Sequence, residues 1–244
     1  MKACLRMRMA FVVLLSLLCG CNDDGNSNTM KFAVCADYPP FEYYENGELK
    51  GFDIDMAKLI AQELNKKIQF EEMQFSAILV SLQQKSVDAA ISAIAATDKR
   101  RQKVDFSSEY YTEVFATIYN KDHPVTDKNQ LSGLKIACQL GSTMEMWLKK
   151  NFPQAIIVAI DNNNQAVEML KAGHVKCVFI NLVQAEAFCR NNSELAFSWI
   201  AESTDGYAIA LPKGSELLEK INKTIAKLKS EGKIDRLKQK WLAK

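Results

Sequence analysis

The sequence is short of the residues that build metal and redox centres. It has two histidines, His123 and His174, both in polar, turn-like surroundings, and none of its seven cysteines forms a CxxC pair. A zinc or dithiol centre therefore lacks a framework, and no metal site is expected. No G-x-G-x-x-G follows the first strand-like run, so a nicotinamide or phosphate cofactor has no cradle, and none is expected. An excess of either charge is missing too. Basic residues number 31 and acidic residues 29; three of the basic ones, Lys2, Arg6 and Arg8, precede residue 21, and without them the balance is 28 to 29. That balance excludes a surface built for nucleic acid. The N-terminal apolar run, Ala10 to Leu18, is too short to span a bilayer comfortably.

What stands at the N-terminus is a targeting segment. A basic start, the apolar run and then Leu18-Cys19-Gly20-Cys21 read as a secretory signal over residues 1–20. The ending resembles a bacterial lipobox, with cleavage before Cys21 and lipidation of that cysteine; an ordinary signal peptide cut nearby, or an uncleaved anchor, is the plainer alternative. Residues 21–30 would then be a lipidated cysteine and a polar Gly/Ser/Asn/Asp-rich tether. The remainder is expected in the extracytoplasmic space (the periplasm), attached to a membrane through the lipid alone. Cys35, Cys138 and Cys177 lie in apolar strand-like runs where free, buried thiols suit; a Cys177–Cys189 bridge stays open.

From Lys31 the chain alternates strand and helix patterns. Lys31 to Ala36 reads as a strand, broken by Asp37-Tyr38-Pro39-Pro40-Phe41-Glu42, whose prolines stiffen a loop at the strand end. Gly51-Phe52-Asp53-Ile54-Asp55 leads into a helix with Ala57, Ile60, Ala61 and Leu64 on one face, and Asp53 is the candidate N-cap. A strand at Ile68 to Glu71, a helix after Phe75 and a strand from Val87 to Ile94 follow, then Ala95-Ala96-Thr97-Asp98-Lys99-Arg100. This β-α-β rhythm predicts a parallel sheet covered on both faces, with functional loops at the carboxyl ends of its strands. Tyr38, Phe75 and Arg100 all fall there.

The pattern then repeats. Strands are predicted at Phe115 to Tyr119, Leu134 to Gln139, Ile156 to Ile160 and Cys177 to Asn181, with helices between them. A further strand covers Tyr207 to Leu211, and two terminal helices carry Leu217, Leu218, Ile221, Ile225 and Leu228, then Ile234, Leu237 and Trp241. The lysines of the last helix read as a solvated face rather than a membrane-lying one. Two repeats imply two similar lobes facing each other. Arg100 offers a planar fork for a small carboxylate, three residues after the cap candidate Thr97. In the second repeat Ser142 and Thr143 open a helix whose free N–H groups attract an anion, although a Ser142/Glu145 capping box would use some of them. One carboxylate held between the two lobes is the reading; a surface arginine in a charged turn is the plainer one.

Taken together these segments resemble the polar amino-acid family (family 3) of bacterial extracytoplasmic solute-binding proteins that serve ABC importers. The likeness covers residues 31–244 and rests on Tyr38-Pro39-Pro40-Phe41-Glu42, Gly51-Phe52-Asp53-Ile54-Asp55, Thr97-Asp98-Lys99-Arg100 with Val104-Asp105-Phe106-Ser107, Gly141-Ser142-Thr143, and Gly232 through Trp241. The resemblance implies an α/β, two-lobed periplasmic-binding-protein-like fold (type II) with two crossover strands near 112–117 and 203–208. It implies one lobe from 31–112 plus 208–244, with the C-terminal helices returning to it, and a second lobe from 113–207. Arg100 matches the arginine that binds the ligand α-carboxylate, completed by Ser142 and Thr143, and Tyr38 and Phe75 match the aromatic sandwich around the ligand side chain. Asn181 stands where an aspartate usually takes the α-ammonium, and Ala93 and Ala95 stand where serine or threonine often helps. Cys35 replaces an aspartate found in some binders of basic amino acids; Glu42 and Glu109 are candidate substitutes for the lost charge.

The function so implied is capture of a free polar amino acid, arginine first and glutamine or another polar residue next, for delivery to an ABC permease by a monomeric, non-enzymatic protein. A cyclohexadienyl or arogenate dehydratase on the same fold is the enzyme alternative, which would need a cleft acid with a raised pKa. A ligand-sensing receptor component is the other.

Overall fold

The computed structural model describes residues 28–243; the signal segment, the lipidation candidate Cys21 and most of the tether lie outside them. Two five-stranded sheets organise the chain. The first strands are β1 (Thr29–Val34), a small antiparallel sheet of β2 (Asp37–Tyr38), β3 (Glu42–Glu45) and β4 (Glu48–Lys50), then helix α1 (Phe52–Glu63), β5 (Lys67–Glu72), α2 (Phe75–Gln83), β6 (Ala89–Ala90), the single turn α3 (Asp98–Arg101) and β7 (Asp105–Phe106). A long strand β8 (Tyr111–Asn120) leads into β9 (Lys135–Gln139), α4 (Thr143–Asn151), β10 (Ile156–Ile160), α5 (Asn163–Lys171), β11 (Cys177–Asn181) and α6 (Leu182–Asn191). The chain returns through β12 (Leu195–Tyr207) to β13 (Ala210–Leu211), and ends in α7 (Leu217–Ser230) and α8 (Lys233–Trp241).

The sheet orders are β5-β1-β6-β13-β7 and β10-β9-β11-β8-β12. This is the two-lobed α/β architecture that the resemblance implies. In each sheet the consecutive β-α-β strands run parallel, β1 beside β5 and β6, β9 beside β10 and β11. The crossover strands β8 and β12 pair antiparallel from Leu195↔Asn120 to Tyr207↔Tyr111, with register shifts at Trp199/Ala201 and Glu202/Gly206.

Strand alternation explains the layering. In β1, Phe32 and Val34 point into a core shared with Ile54 and Ile60 of α1 and Ile221 and Leu228 of α7, whereas Ala33 points to the opposite layer with Ile78 and Leu82 of α2. The second lobe repeats this: Phe115, Phe179 and Leu148 pack on one face, Ile118, Val178, Val167 and Leu170 on the other. The terminal helices lie on α1, where Asp55 accepts from Lys240 Nζ (2.7 Å) and Trp241 Nε1 (2.9 Å), and Glu63 pairs with Lys227 and Lys233. The lysines of α8 thus flank a packed helix rather than a membrane face. Among the described residues no helix is long and apolar enough to cross a membrane.

Several local expectations change. The strand expected over Val87 to Ile94 contracts to Ala89–Ala90, and beyond it Ala93 takes a left-handed conformation (φ 47°). The strand expected over Tyr207 to Leu211 splits between the two sheets, and the crossover strand implied near 203–208 is the end of a 13-residue β12 that begins at Leu195. Asp53 is not a helix cap: Gly51 holds that position, with φ 130° and so close to the Phe41 carbonyl that any Cβ would collide. Cys177 and Cys189 are free, as are Cys35 and Cys138.

Candidate functional site

A narrow cleft lies where the two sheets meet, lined by Tyr38, Phe75, Ser92, Ala93, Arg100, Glu113, Gln139, Ser142, Thr143 and Met144. Each reaches it from the carboxyl end of a strand, the start of a helix or the crossover strand β8. Tyr38 follows β1, Phe75 opens α2, and Ser92 and Ala93 follow β6. Arg100 lies on α3, whose cap Thr97 accepts from the Arg100 N–H (3.3 Å) as its sequence position predicts.

Arg100 is 5% exposed and touches both lobes. Its Nη1 donates to the Ala95 carbonyl (2.8 Å), its Nη2 to the Gly141 carbonyl (3.0 Å), and its guanidinium carbon lies 5.4 Å from the centroid of the Phe75 ring. Burial pulls the guanidinium below its usual value and the nearby Glu113 charge works against that; an arginine stays cationic in either case. Two of its five donors are thereby engaged, and the planar fork is anchored at the mouth of α4.

Across from it, Ser142 caps α4, accepting from the Glu145 N–H (3.2 Å) and donating to the Gln139 carbonyl (2.6 Å). The capping box differs by one residue from expectation: Glu145 reaches back to the Gly141 N–H (2.6 Å) rather than to Ser142. Thr143 Oγ1 donates to Glu113, at 2.8 and 3.0 Å from its two oxygens. Glu113, 1% exposed, also accepts from the Tyr207 hydroxyl (2.9 Å). Its pKa is pushed up to about 7 by burial, opposed by the Thr143 and Tyr207 hydrogen bonds and by Arg100.

Four candidates lie outside this lining. Asn181 is fully buried; its Oδ1 accepts from the Val183 N–H (2.9 Å) as the cap of α6, and its Nδ2 donates to the Tyr207 hydroxyl (3.1 Å). Ala95 contributes its carbonyl to Arg100 and not its side chain. Glu42 sits one layer behind Ser92, whose hydroxyl donates to it (2.8 Å) while accepting from the Cys35 N–H (3.0 Å). Glu42 is coupled to Asp53, which accepts from the Ala93 N–H (2.7 Å) and the Tyr110 hydroxyl (2.9 Å). Burial without a facing cation raises both carboxyls, and each acid raises or competes with the other across the pair. Glu109 is half exposed beside Arg101 and does not reach the cleft lining.

Direct contacts bridge the lobes in a closed arrangement. Asp37 accepts from the Asn163 N–H at the start of α5 (2.9 Å), Ser76 Oγ donates to Asp161 (2.6 Å), and Arg100 reaches Gly141. Asp37 also accepts from the Cys35 thiol (3.2 Å), and burial raises its pKa. Sequence reasoning missed Ser92, Glu113, Gln139 and Met144 of the lining, and Tyr207 behind it. A lone acid opening the apolar run from Val114 to Tyr119 was the available signal for Glu113.

The model of the bacterial extracellular solute-binding proteins, family 3, matches residues 30–244. The arginine-binding extracellular protein ArtP of Bacillus subtilis (strain 168) is 31% identical over 250 residues, covering 99% of this chain and 98% of that protein. A solved ancestral arginine-binding protein bound to glutamine is 36% identical with a TM-score of 0.85, over 89% of this chain and 99% of that one. An ancestral arginine-binding protein bound to arginine is likewise 36% identical, TM-score 0.83, over 88% and 98%. These are transport proteins that bind amino acids, which removes the dehydratase alternative. With its two lobes, its crossover strands and a cleft that pairs an arginine with a helix start, the chain belongs to family 3 of the bacterial extracellular solute-binding proteins, binding a polar amino acid for an ABC permease.

Proposed function

We propose that the polar amino acid is arginine, bound in the cleft with its α-carboxylate on Arg100 and the Ser142/Thr143 start of α4. The observation that carries this reading is the position of Arg100: a buried cation, anchored by one carbonyl from each lobe and lying at the N-terminus of a nine-residue helix. A carboxylate accepted there meets a fixed fork and aligned N–H groups together. Tyr38 and Phe75 supply the aromatic faces, Ser92 and Ala93 the adjoining wall. Asp37, beside Cys35, is the acid nearest the position left neutral by that cysteine. The arginine-binding relatives agree with this cargo.

A glutamine reading has its own support. Ser92 and Gln139 give the wall around Cys35 neutral hydrogen-bonding groups, burial raises the pKa of Glu42 behind it, and an ancestral arginine-binding protein was solved with glutamine.

The working unit is proposed as residues 31–112 with 208–244 hinged against 113–207 through β8 and β12, a monomer held outside the cytoplasm by lipid on Cys21. Closure is favoured by a ligand because only the closed form offers it both lobes. After denaturing to strip carried-over ligand, the purified chain is screened by thermal unfolding against the twenty amino acids with ornithine and citrulline. Saturating arginine at a hundred times its dissociation constant should stabilise by about 2.7 kcal/mol. Arg100→Ala should abolish binding at millimolar ligand; micromolar affinity in that variant would sink the carboxylate assignment. Stabilisation by glutamine with none by arginine would select the second reading.

A further inference from the structure

We infer that Glu113, from the crossover strand β8, is the residue that takes the ligand α-ammonium, in place of an acid at Asn181. This rests on the amino-acid reading above and deepens it.

An α-amino acid carries two opposite charges on neighbouring atoms, and a dry site must answer both. Among the described residues that line the cleft, Arg100 is the cation and Glu113 the carboxylate. They belong to the same end of it. Thr143, the first residue of α4 after the Gly141 carbonyl that Arg100 grips, donates to both oxygens of Glu113. The α-carboxylate and α-ammonium positions are therefore served from one cluster.

Asn181 is unsuited to that task here. Its oxygen is engaged as the cap of α6, and its amide donates to Tyr207. The direction of this chain matters: Asn181 donates to the Tyr207 hydroxyl, which in turn donates to Glu113. Asn181 thus orients a hydroxyl whose proton supports an anion at position 113. The side chains of Ala93 and Ala95 add methyl groups and no acceptor. The negative charge missing from β11 is supplied from β8, through a relay whose polarity needs an asparagine rather than an aspartate at its far end. Tyr207 occupies the same crossover pair, two strands whose register places it opposite Tyr111. The hinge strands accordingly carry part of the recognition chemistry.

The test is calorimetric titration of the chain with arginine, glutamine and their des-amino analogues, 5-guanidinopentanoate and glutaramate, on wild type, Glu113→Gln and Glu113→Asp. Wild type should prefer the α-amino acid over its des-amino analogue by on the order of 100-fold. Glu113→Gln should lose roughly 30-fold or more toward the amino acid while changing the analogue by less than about threefold, erasing the preference. Glu113→Asp, which keeps the charge but withdraws it by one methylene, should fall between; it also carries the test if the glutamine variant does not fold. An unchanged preference in both variants, or equal loss toward amino acid and analogue, overturns the assignment. Loss toward arginine with none toward glutamine also overturns it, since that result places Glu113 on the ligand side chain. Binding of neither amino acid by wild type defeats the parent reading, an outcome distinct from any of these.

Discussion

Two groups of buried carboxyls lie close together in this protein and are held in opposite ways. Glu113 faces Arg100 and accepts hydroxyl protons from Thr143 and Tyr207; Glu42 and Asp53 face each other behind Ser92 and Ala93, with one oxygen of each lacking a conventional donor. The first arrangement gives an acid a cation and hydroxyl donors that oppose the effect of its burial. The second gives two acids no cation, so they share a proton and act as a structural tie. Burial is common to both. What separates an acid able to meet a ligand from one that fastens a loop is the company it keeps.

The comparison breaks most readily at Asp53. Removing its carboxylate leaves the Ala93 N–H and the Tyr110 hydroxyl unpartnered in the interior, and Ala93 already holds a left-handed backbone. Asp53→Ala is expected to cost about 3 kcal/mol, or roughly 6–12 °C in thermal midpoint for a domain of this size. A midpoint within 2 °C of wild type, on the order of 0.5–1 kcal/mol, would show that the tie carries no weight.

Tyr207→Phe acts on the other carboxyl. It deletes the donor to Glu113 and the acceptor of Asn181, with an expected loss of about 1–2 kcal/mol in ligand binding, near tenfold, read by calorimetry. Undiminished affinity would detach the relay from recognition.

Acid acts on stability and on ligand affinity with opposite signs. Glu113 is raised from 4.5 to about 7 and Asp53 from 3.8 to about 7, so each contributes stability that is present below its unfolded value and lost as pH rises through about 7. Ligand-free protein should therefore become more stable between pH 8 and 5.5. Ligand affinity should move the other way, by up to about tenfold per pH unit below 7, because an ammonium needs Glu113 ionised. The groups facing Glu113 are Arg100 and Tyr207, with Tyr38 and Tyr111 near; burial raises the three tyrosines and Arg100 stays charged, so none titrates in that window. Parallel trends in stability and affinity, followed by thermal unfolding and titration calorimetry, would contradict the separation.

The smallest effect belongs to Glu42→Gln. Glutamine retains an acceptor for Ser92 and adds a donor toward Asp53, and burial already disfavours a charge at this position. Stability should stay within about 0.5 kcal/mol and arginine affinity within about twofold. A loss beyond about tenfold in affinity would return Glu42 to the ligand's immediate surroundings.

Much of the fold was legible because periodicity writes it out. Phe32 and Val34 against Ala33, or Ala166, Val167 and Leu170 along α5, mark faces whatever their partners. Thr97 and Ser142 were readable as caps because a cap needs only a few adjacent residues. The resemblance placed only the end of β12, near 203–208; its start at Leu195 escaped because its residues pair with β8 rather than carrying a clear apolar alternation. Asp53 was misread for a related reason: its place at a helix start is local, while its partners Ala93 and Tyr110 lie 40 and 57 residues away.

The sequence by itself determined two β-α-β units and an arginine at a strand's carboxyl edge beside a capped turn, since these follow from spacing and residue type. It also carried a signal-like N-terminus. Only the tertiary structure decided which acids meet which donors. It set Glu113 against Thr143 and Tyr207, closed Glu42 upon Asp53, and turned Asn181 into a cap. The physical reason is range: helix and strand patterns arise within a few residues, whereas the charge state of a buried carboxyl depends on neighbours that the chain brings from 30 to 94 residues away.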